Sequence, residues 1–194
     1  MFLVDTNIMK PEAKMLMLIE RLTRIIHNDG HQKGLKPTQW EVLRYLARAN
    51  KFSKSPGAVT AYLGVTKGTV SQTITTLERK GLIEKSSAAD DKRNVNVNLT
   101  RSGSELLISD PASKLATVVQ NLEIKGAQDA TKMLEGLVKD LLNAREGKPF
   151  GVCKSCDNFQ LNAPKGNPHF CTLLAEPLTK IDSDLICVEQ VSSR

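Results

Sequence analysis

Cysteine is absent from the first 152 residues of this 194-residue chain, and all four cysteines lie between 153 and 187. No apolar run approaches the roughly 20 residues that a helix needs to cross a bilayer. The N-terminal stretch is broken by Lys10, Glu12 and Lys14, where a secretory segment would stay apolar. These absences point to a cytoplasmic protein with no membrane association, in a compartment where disulfides are rare. There is no glycine-rich phosphate loop, no nucleophile paired with a base and no carboxylate pair in motif spacing. His27, His31 and His169 stand outside any such motif. The expectation is therefore not an enzyme. The one enzymatic alternative is an iron–sulfur enzyme acting on nucleic acid, which turnover on DNA would reveal.

What is present is a packed core and an uneven charge. Apolar residues make up 40% of the chain, and the length suits one large or two small domains. The formal net charge is +6, but residues 36–101 alone hold 12 Lys/Arg against 5 Asp/Glu, a net +7. Segments 1–35, 102–148 and 149–194 come to +1, −1 and −1. The positive charge is thus concentrated where counterion release would favour binding to a polyanion.

The chain is organised around residues 58–101. From Lys67 to Leu82, Val70, Ile74 and Leu77 recur at helical spacing and define one buried stripe. The opposite face carries Ser, Thr, Gln and Lys, short hydrogen-bonding groups with few negative charges. That face suits a helix in a DNA major groove, and Lys67, Thr69, Ser71, Gln72 and Thr75 are its candidate contacts. The preceding residues 58–66 supply a partner helix stopped by Gly64, with Thr66 placed to cap the next one. Leu82-Ile83-Glu84 starts a strand, and 94–99 alternate polar and apolar as a half-buried strand does. Ser86 to Arg93 reads as a polar loop between them. The whole is a helix-turn-helix followed by a wing, with Lys92 and Arg93 at its tip as further DNA contacts.

Asp91-Lys92-Arg93, then Val95, Val97, Leu99-Thr100 and Gly103, resembles the wing pattern of the MarR family of winged-helix regulators. Leu63-Gly64-Val65, Thr69-Val70-Ser71 and Leu77 to Ile83 are similar too. The resemblance runs over roughly residues 10–145 and is strongest in 37–103. It implies that Arg93 enters a minor groove and that Asp91 holds the wing's shape. It also implies that the N-terminal helix pairs with terminal helices of a second subunit. An organic effector in a pocket between the dimer and reading layers is a further family property.

Elsewhere the pattern is helical. Met1 to Met9 reads as a loose arm or a short swapped segment, and Pro11 suits a first helical turn. Met15, Leu18, Ile19, Leu22, Ile25 and Ile26 then form a broad stripe up to Asn28-Asp29-Gly30. Residues 37–50 form a helix with Trp40, Leu43, Leu46 and Ala47 inward. Residues 51–57 read as a loop offering Lys51 and Lys54 to phosphate. After the wing a helix opens at Arg101, Pro111 interrupts it, and Leu115, Val118, Val119 and Leu122 continue on one face. Gly126 is expected to break the chain before a stripe of Met133, Leu134, Leu137, Val138, Leu141 and Leu142. These helices are read as a dimerisation layer. A two-fold homodimer would read a pseudo-palindromic site on double-stranded DNA.

The last 46 residues (149–194) are too few to bury a large core unaided. Cys153-x2-Cys156, Cys171 and Cys187 there suggest a metal centre. A four-thiolate zinc site is one reading. One close pair with two isolated cysteines suits an iron–sulfur cluster as well. Phe159, Phe170, Leu173, Leu174, Leu178, Ile181 and Ile186 would shield the centre or form the unit's core. His169 is a replacement ligand, or else a surface or supporting histidine.

The expected fold is mainly α with a small β-wing (α+β). Its parts are an N-terminal dimerisation helix (1–35), a winged helix-turn-helix (36–103), further dimerisation helices (104–148) and a four-cysteine metal-binding tail (149–194). The expected function is sequence-specific transcriptional regulation, with the tail sensing redox state or metal through the dimer helices joined to it by 143–151. The alternative keeps DNA binding, makes the tail structural zinc and has the regulator respond to a small organic ligand.

Overall fold

The computed structural model of the protein describes residues 9–88, 91–148, 150–163 and 168–191, with the side chains of 87, 88 and 91–94 outside the description. Helix α1 (Pro11–Asp29) starts on Pro11 and ends at Gly30, as the sequence suggests. It is followed by α2 (Pro37–Arg48), α3 (Pro56–Leu63) and α4 (Lys67–Arg79). Strands β1 (Ile83–Ala88) and β2 (Asp91–Leu99) pair antiparallel, from Ile83 opposite Leu99 to Ala88 opposite Asp91. Then come α5 (Arg101–Leu107), α6 (Ser113–Gln120) and α7 (Ile124–Ala144).

Several boundaries differ from the sequence reading. Helix α3 begins two residues earlier than Ala58, because the Ser55 hydroxyl accepts from the Ala58 N–H and Pro56 fits the first turn. The wing strands run beyond the expected loop 86–93. Asn98 Nδ2 donates to the Ser86 hydroxyl at 3.1 Å, so polar side chains support the pairing as apolar ones do nearer the core. Gly126 does not break the chain. It lies in the first turn of α7, and the break falls at 121–123, where Glu123 is extended.

The core of the reading unit joins Trp40, Val42, Leu43, Tyr45 and Leu46 of α2 to Val59, Val70, Ile74, Leu77, Ile83 and Val97. Ala47, expected inward, is exposed, and Tyr45 and Ala49 take its place. Gly103 sets how closely α5 meets the wing, since an added Cβ there would overlap the Leu82 carbonyl.

By contrast α1, α6 and α7 bury none of their own residues. Leu18, Leu22 and Ile25 of α1 and Leu134, Val138 and Leu141 of α7 are between 46% and 57% exposed, so these apolar stripes lie uncovered in a single chain.

The C-terminal unit is built from short pieces. Strands β3 (Gly151–Val152) and β7 (Ile186–Cys187) pair antiparallel, and a 3-10 turn covers Cys153–Ser155. Strands β4 (Phe159–Leu161), β5 (His169–Cys171) and β6 (Glu176–Leu178) form a second sheet in that order, and α8 (Lys180–Ser183) follows. The unit docks on the winged helix. Val188 is part of the reading unit's core, and Phe150 and Ile186 pack against it. Phe150 meets Tyr62 edge-on, with ring centroids 5.1 Å apart.

Candidate nucleic-acid interface and four-cysteine centre

The reading helix is fixed from three sides. Gly64 adopts φ 63°, a left-handed turn that glycine takes without strain, and its N–H donates to the Thr60 carbonyl. Two residues later the Thr66 hydroxyl accepts from the Thr69 N–H at 3.2 Å and caps α4. Val70, Thr73, Ile74 and Leu77 are buried, and the Thr73 hydroxyl donates to the Thr69 carbonyl at 2.8 Å. At the far end Gly81, with φ 69°, turns the chain into the wing.

Lys67, Thr69, Ser71, Gln72 and Thr75 are all exposed, as their spacing predicts. The Thr69 hydroxyl lies 2.9 Å from that of Thr66, which commits it in part to the cap. Lys67, Ser71 and Thr75 line one wall of a groove of about 350 Å³, with Thr60 and Lys85 also on its border. Lys92 and Arg93 belong to β2 by backbone, but their side chains, and that of Asp91, lie outside the described residues. Lys51, read as a phosphate contact, is engaged elsewhere. Its ammonium donates to the Pro177 carbonyl at 3.0 Å and stands 3.5 Å from the Glu176 carboxylate.

Beneath the α2–α3 loop, Cys153, Cys171 and Cys187 are buried in one cluster with Leu178, against Phe52, Phe159 and Leu174. Cys156 is half-buried, and all four cysteines are free. The Cys187 thiol is pushed down to about 6, first by its hydrogen bond with Cys153 and then by the Asn50 side chain, the Glu189 N–H and Ser53, against the opposing effect of burial. Cys153 moves the other way, because it shares that bond with an ionised neighbour, is desolvated, and feels Cys171 and Cys156. The Val191 N–H donates to Cys156 Sγ at 3.4 Å. The sulfurs therefore converge and receive donors. Among the described residues, though, no set of three or more His, Cys, Asp or Glu stands in a metal-holding arrangement.

His169 is a buried residue, not a surface one. It is 8% exposed, lies tilted against the Phe159 ring with centroids 4.9 Å apart, and leaves Nδ1 without a partner. With Cys171 two positions along β5, it faces the same side of that strand. Leu173 and Ile181, expected to shield the centre, are exposed at 51% and 73%.

Sequence reasoning did not single out Asn50 and Ser53. Both are fully buried in a loop. Ser53 donates to Asn50 Oδ1 at 2.7 Å and accepts the Val188 N–H at 2.8 Å. The Asn50 amide nitrogen finds no partner of ordinary geometry, yet favours the ionised Cys187 beside it.

Comparison with known proteins places this architecture. Residues 33–94 match the MarR family model. The HTH-type transcriptional repressor YetL of Bacillus subtilis is 22% identical over 141 residues, covering 71% of this chain and 84% of its own. Among solved structures, a MarR transcriptional regulator from Methanosarcina mazei Go1 aligns with TM-score 0.55 and 22% identity, over 69% of this chain and 97% of that one. The MepR–DNA complex of S. aureus aligns with TM-score 0.53 and 24% identity, over 64% and 96%. At these identities the structural likeness establishes a MarR-type winged-helix fold. No described helix is long and apolar enough to cross a membrane.

Proposed function

We propose that the chain is a MarR-type transcriptional regulator that binds double-stranded DNA as a homodimer, with a C-terminal four-cysteine centre that senses redox state or metal. The observation that carries DNA binding is the outer face of α4. Five exposed residues able to meet bases or phosphates, Lys67, Thr69, Ser71, Gln72 and Thr75, stand on a helix whose other face is locked into the core. That helix lies in the segment of net charge +7. The match over 33–94 and the likeness to a DNA-bound MepR support the same reading. The uncovered stripes on α1 and α7 support dimerisation, since a second copy would cover them. A two-fold pair would take a pseudo-palindromic operator.

Cys153, Cys156, Cys171 and Cys187 are the residues that would hold the metal. The buried cluster of Cys153, Cys171 and Cys187 and the N–H donor to the half-buried Cys156 fit a thiolate centre, and binding would have to draw the four sulfurs into coordination. An iron–sulfur cluster would supply reversible one-electron chemistry, whereas zinc would supply a structural staple. The alternative reading places an organic effector between the reading and dimer layers, where a hollow of about 150 Å³ lies beside Ile26, His27 and Arg44 within one chain.

Two measurements test the proposal. Selection from a random duplex library should enrich a pseudo-palindromic sequence, and failure to retain any duplex would sink the DNA-binding reading. Protein purified without oxygen should carry either iron and sulfide with broad visible absorption, or one zinc per chain without colour. A metal-free chain in that preparation would remove the centre.

A further inference from the structure

The C-terminal unit and the wing are held by the same short loop. The Asn50 N–H donates to the Ile186 carbonyl at 2.9 Å, and Ala49 bridges Ile186 in parallel. The Val188 N–H reaches Ser53 Oγ at 2.8 Å, and the Ser53 hydroxyl reaches Asn50 Oδ1 at 2.7 Å. On the loop's other side, the Lys54 carbonyl accepts the N–H of Val97, a fully buried residue of β2, at 2.8 Å. The Tyr45 hydroxyl donates to the Ser53 carbonyl at 2.7 Å and pins the loop from below. One residue, Ser53, thus binds the tail through its side chain, while its neighbour Lys54 binds the wing through its backbone. By comparison the covalent join to α7 is steadied by an exposed ion pair, Lys148 to Glu189 at 3.0 Å. Exposed pairs of this kind contribute little.

We infer that the four-cysteine centre regulates the wing through Asn50, Ser53 and Lys54, rather than through the dimer helices. The inference rests on the metal-centre reading above. Loading the centre would draw Cys187 toward the other sulfurs, and Ile186 and Val188 on either side of it would carry that movement to Asn50 and Ser53. The loop would then move the Lys54 carbonyl relative to the Val97 N–H and alter how the wing's inner strand is seated. A buried polar network of this kind holds together or fails together, because each unpaired group inside a protein is costly. Asn50 and Ser53 are positioning residues in this scheme.

Hydrogen exchange read by mass spectrometry on the full chain tests the route, comparing metal-loaded and chelator-stripped protein with metal analysis of the same samples. Loaded and stripped protein should differ in exchange of the Asn50, Val188 and Val97 amides by about tenfold or more and agree over 124–144. Ser53→Ala should retain its metal but abolish the difference between loaded and stripped protein at Val97. A merely structural role for Ser53 would leave that difference in place. Bound metal with equal Val97 exchange in both states would overturn the inference and leave the metal centre standing. A change confined to 124–144 would return the coupling to the dimer helices and also overturn it. A chain that holds no metal would remove the metal centre and this regulation together.

Discussion

The Arg44 guanidinium grips both carboxylate oxygens of Asp110 at 2.7 Å, tying α2 to the turn between α5 and α6. Burial alone would raise the Asp110 pKa. The hydrogen bonds from Arg44, the Ala112 N–H and the charges of Arg44 and Arg48 outweigh it and hold the carboxyl below its ordinary value. The unfolded carboxyl titrates near pH 4. The pair's contribution is therefore complete above about pH 4 and is lost as the pH falls through the lower folded value. Thermal melts of wild type and Asp110→Asn should differ at pH 7 and converge as the solution becomes more acid than pH 4. A constant gap across that range would show that the pair's charge is irrelevant to stability.

Gly103 has no room for a side chain beneath the Leu82 carbonyl. Gly103→Ala should lower stability by about 1–3 kcal/mol or more, since the obstacle is backbone and cannot rotate away. A denaturant midpoint equal to wild type would mean that α5 shifts freely on the wing.

Lys67→Ala and Arg93→Ala should each weaken DNA binding across sequences and reduce the salt slope by about one. Gln72→Ala should instead cost about 1–3 kcal/mol of discrimination at one position in the operator. Anisotropy titrations at several salt concentrations separate the two behaviours. An unchanged slope removes that residue from the phosphate contacts.

Leu134→Glu combined with Val138→Glu places charge on the exposed apolar stripe of α7. Sedimentation should then show monomer, with DNA affinity reduced at least about tenfold because one half-site is lost per complex. A dimer that survives both changes would move the interface to another face.

Cys153→Ser with Cys156→Ser should abolish metal retention. Stripping with a chelator should have the same effect on the wild type. Metal content that persists in the double variant would assign the ligands to other residues.

The helix-turn-helix was legible because its signals are local. Gly64, Thr66 and the stripe Val70, Ile74 and Leu77 each act within a few residues of themselves. Boundaries were less legible where the deciding contact is weak or lies across the chain. A serine cap three residues upstream set the start of α3, a first-turn glycine passed for a breaker in α7, and cross-strand side chains lengthened the wing. The docking of the tail was not legible at all. Asn50 reads as the end of a helix that in fact stops at Arg48, Ser53 reads as an ordinary loop residue, and both are held by contacts with Ile186 and Val188. Lys51 misled for the same reason, since Glu176 and Pro177 lie more than a hundred residues away in sequence.

Val188 completes a core whose other members lie between Leu35 and Val97. During synthesis the reading head therefore emerges, helices and wing included, with Val188's place in its core unfilled until that residue follows. Domains tend to fold as they leave the ribosome, N-terminal parts first. Filling that place is tied to the cysteine cluster, because Val188 adjoins Cys187 in the chain. A nascent or truncated chain would show an open apolar seam beside the α2–α3 loop, marking it for quality control before it could compete for operators.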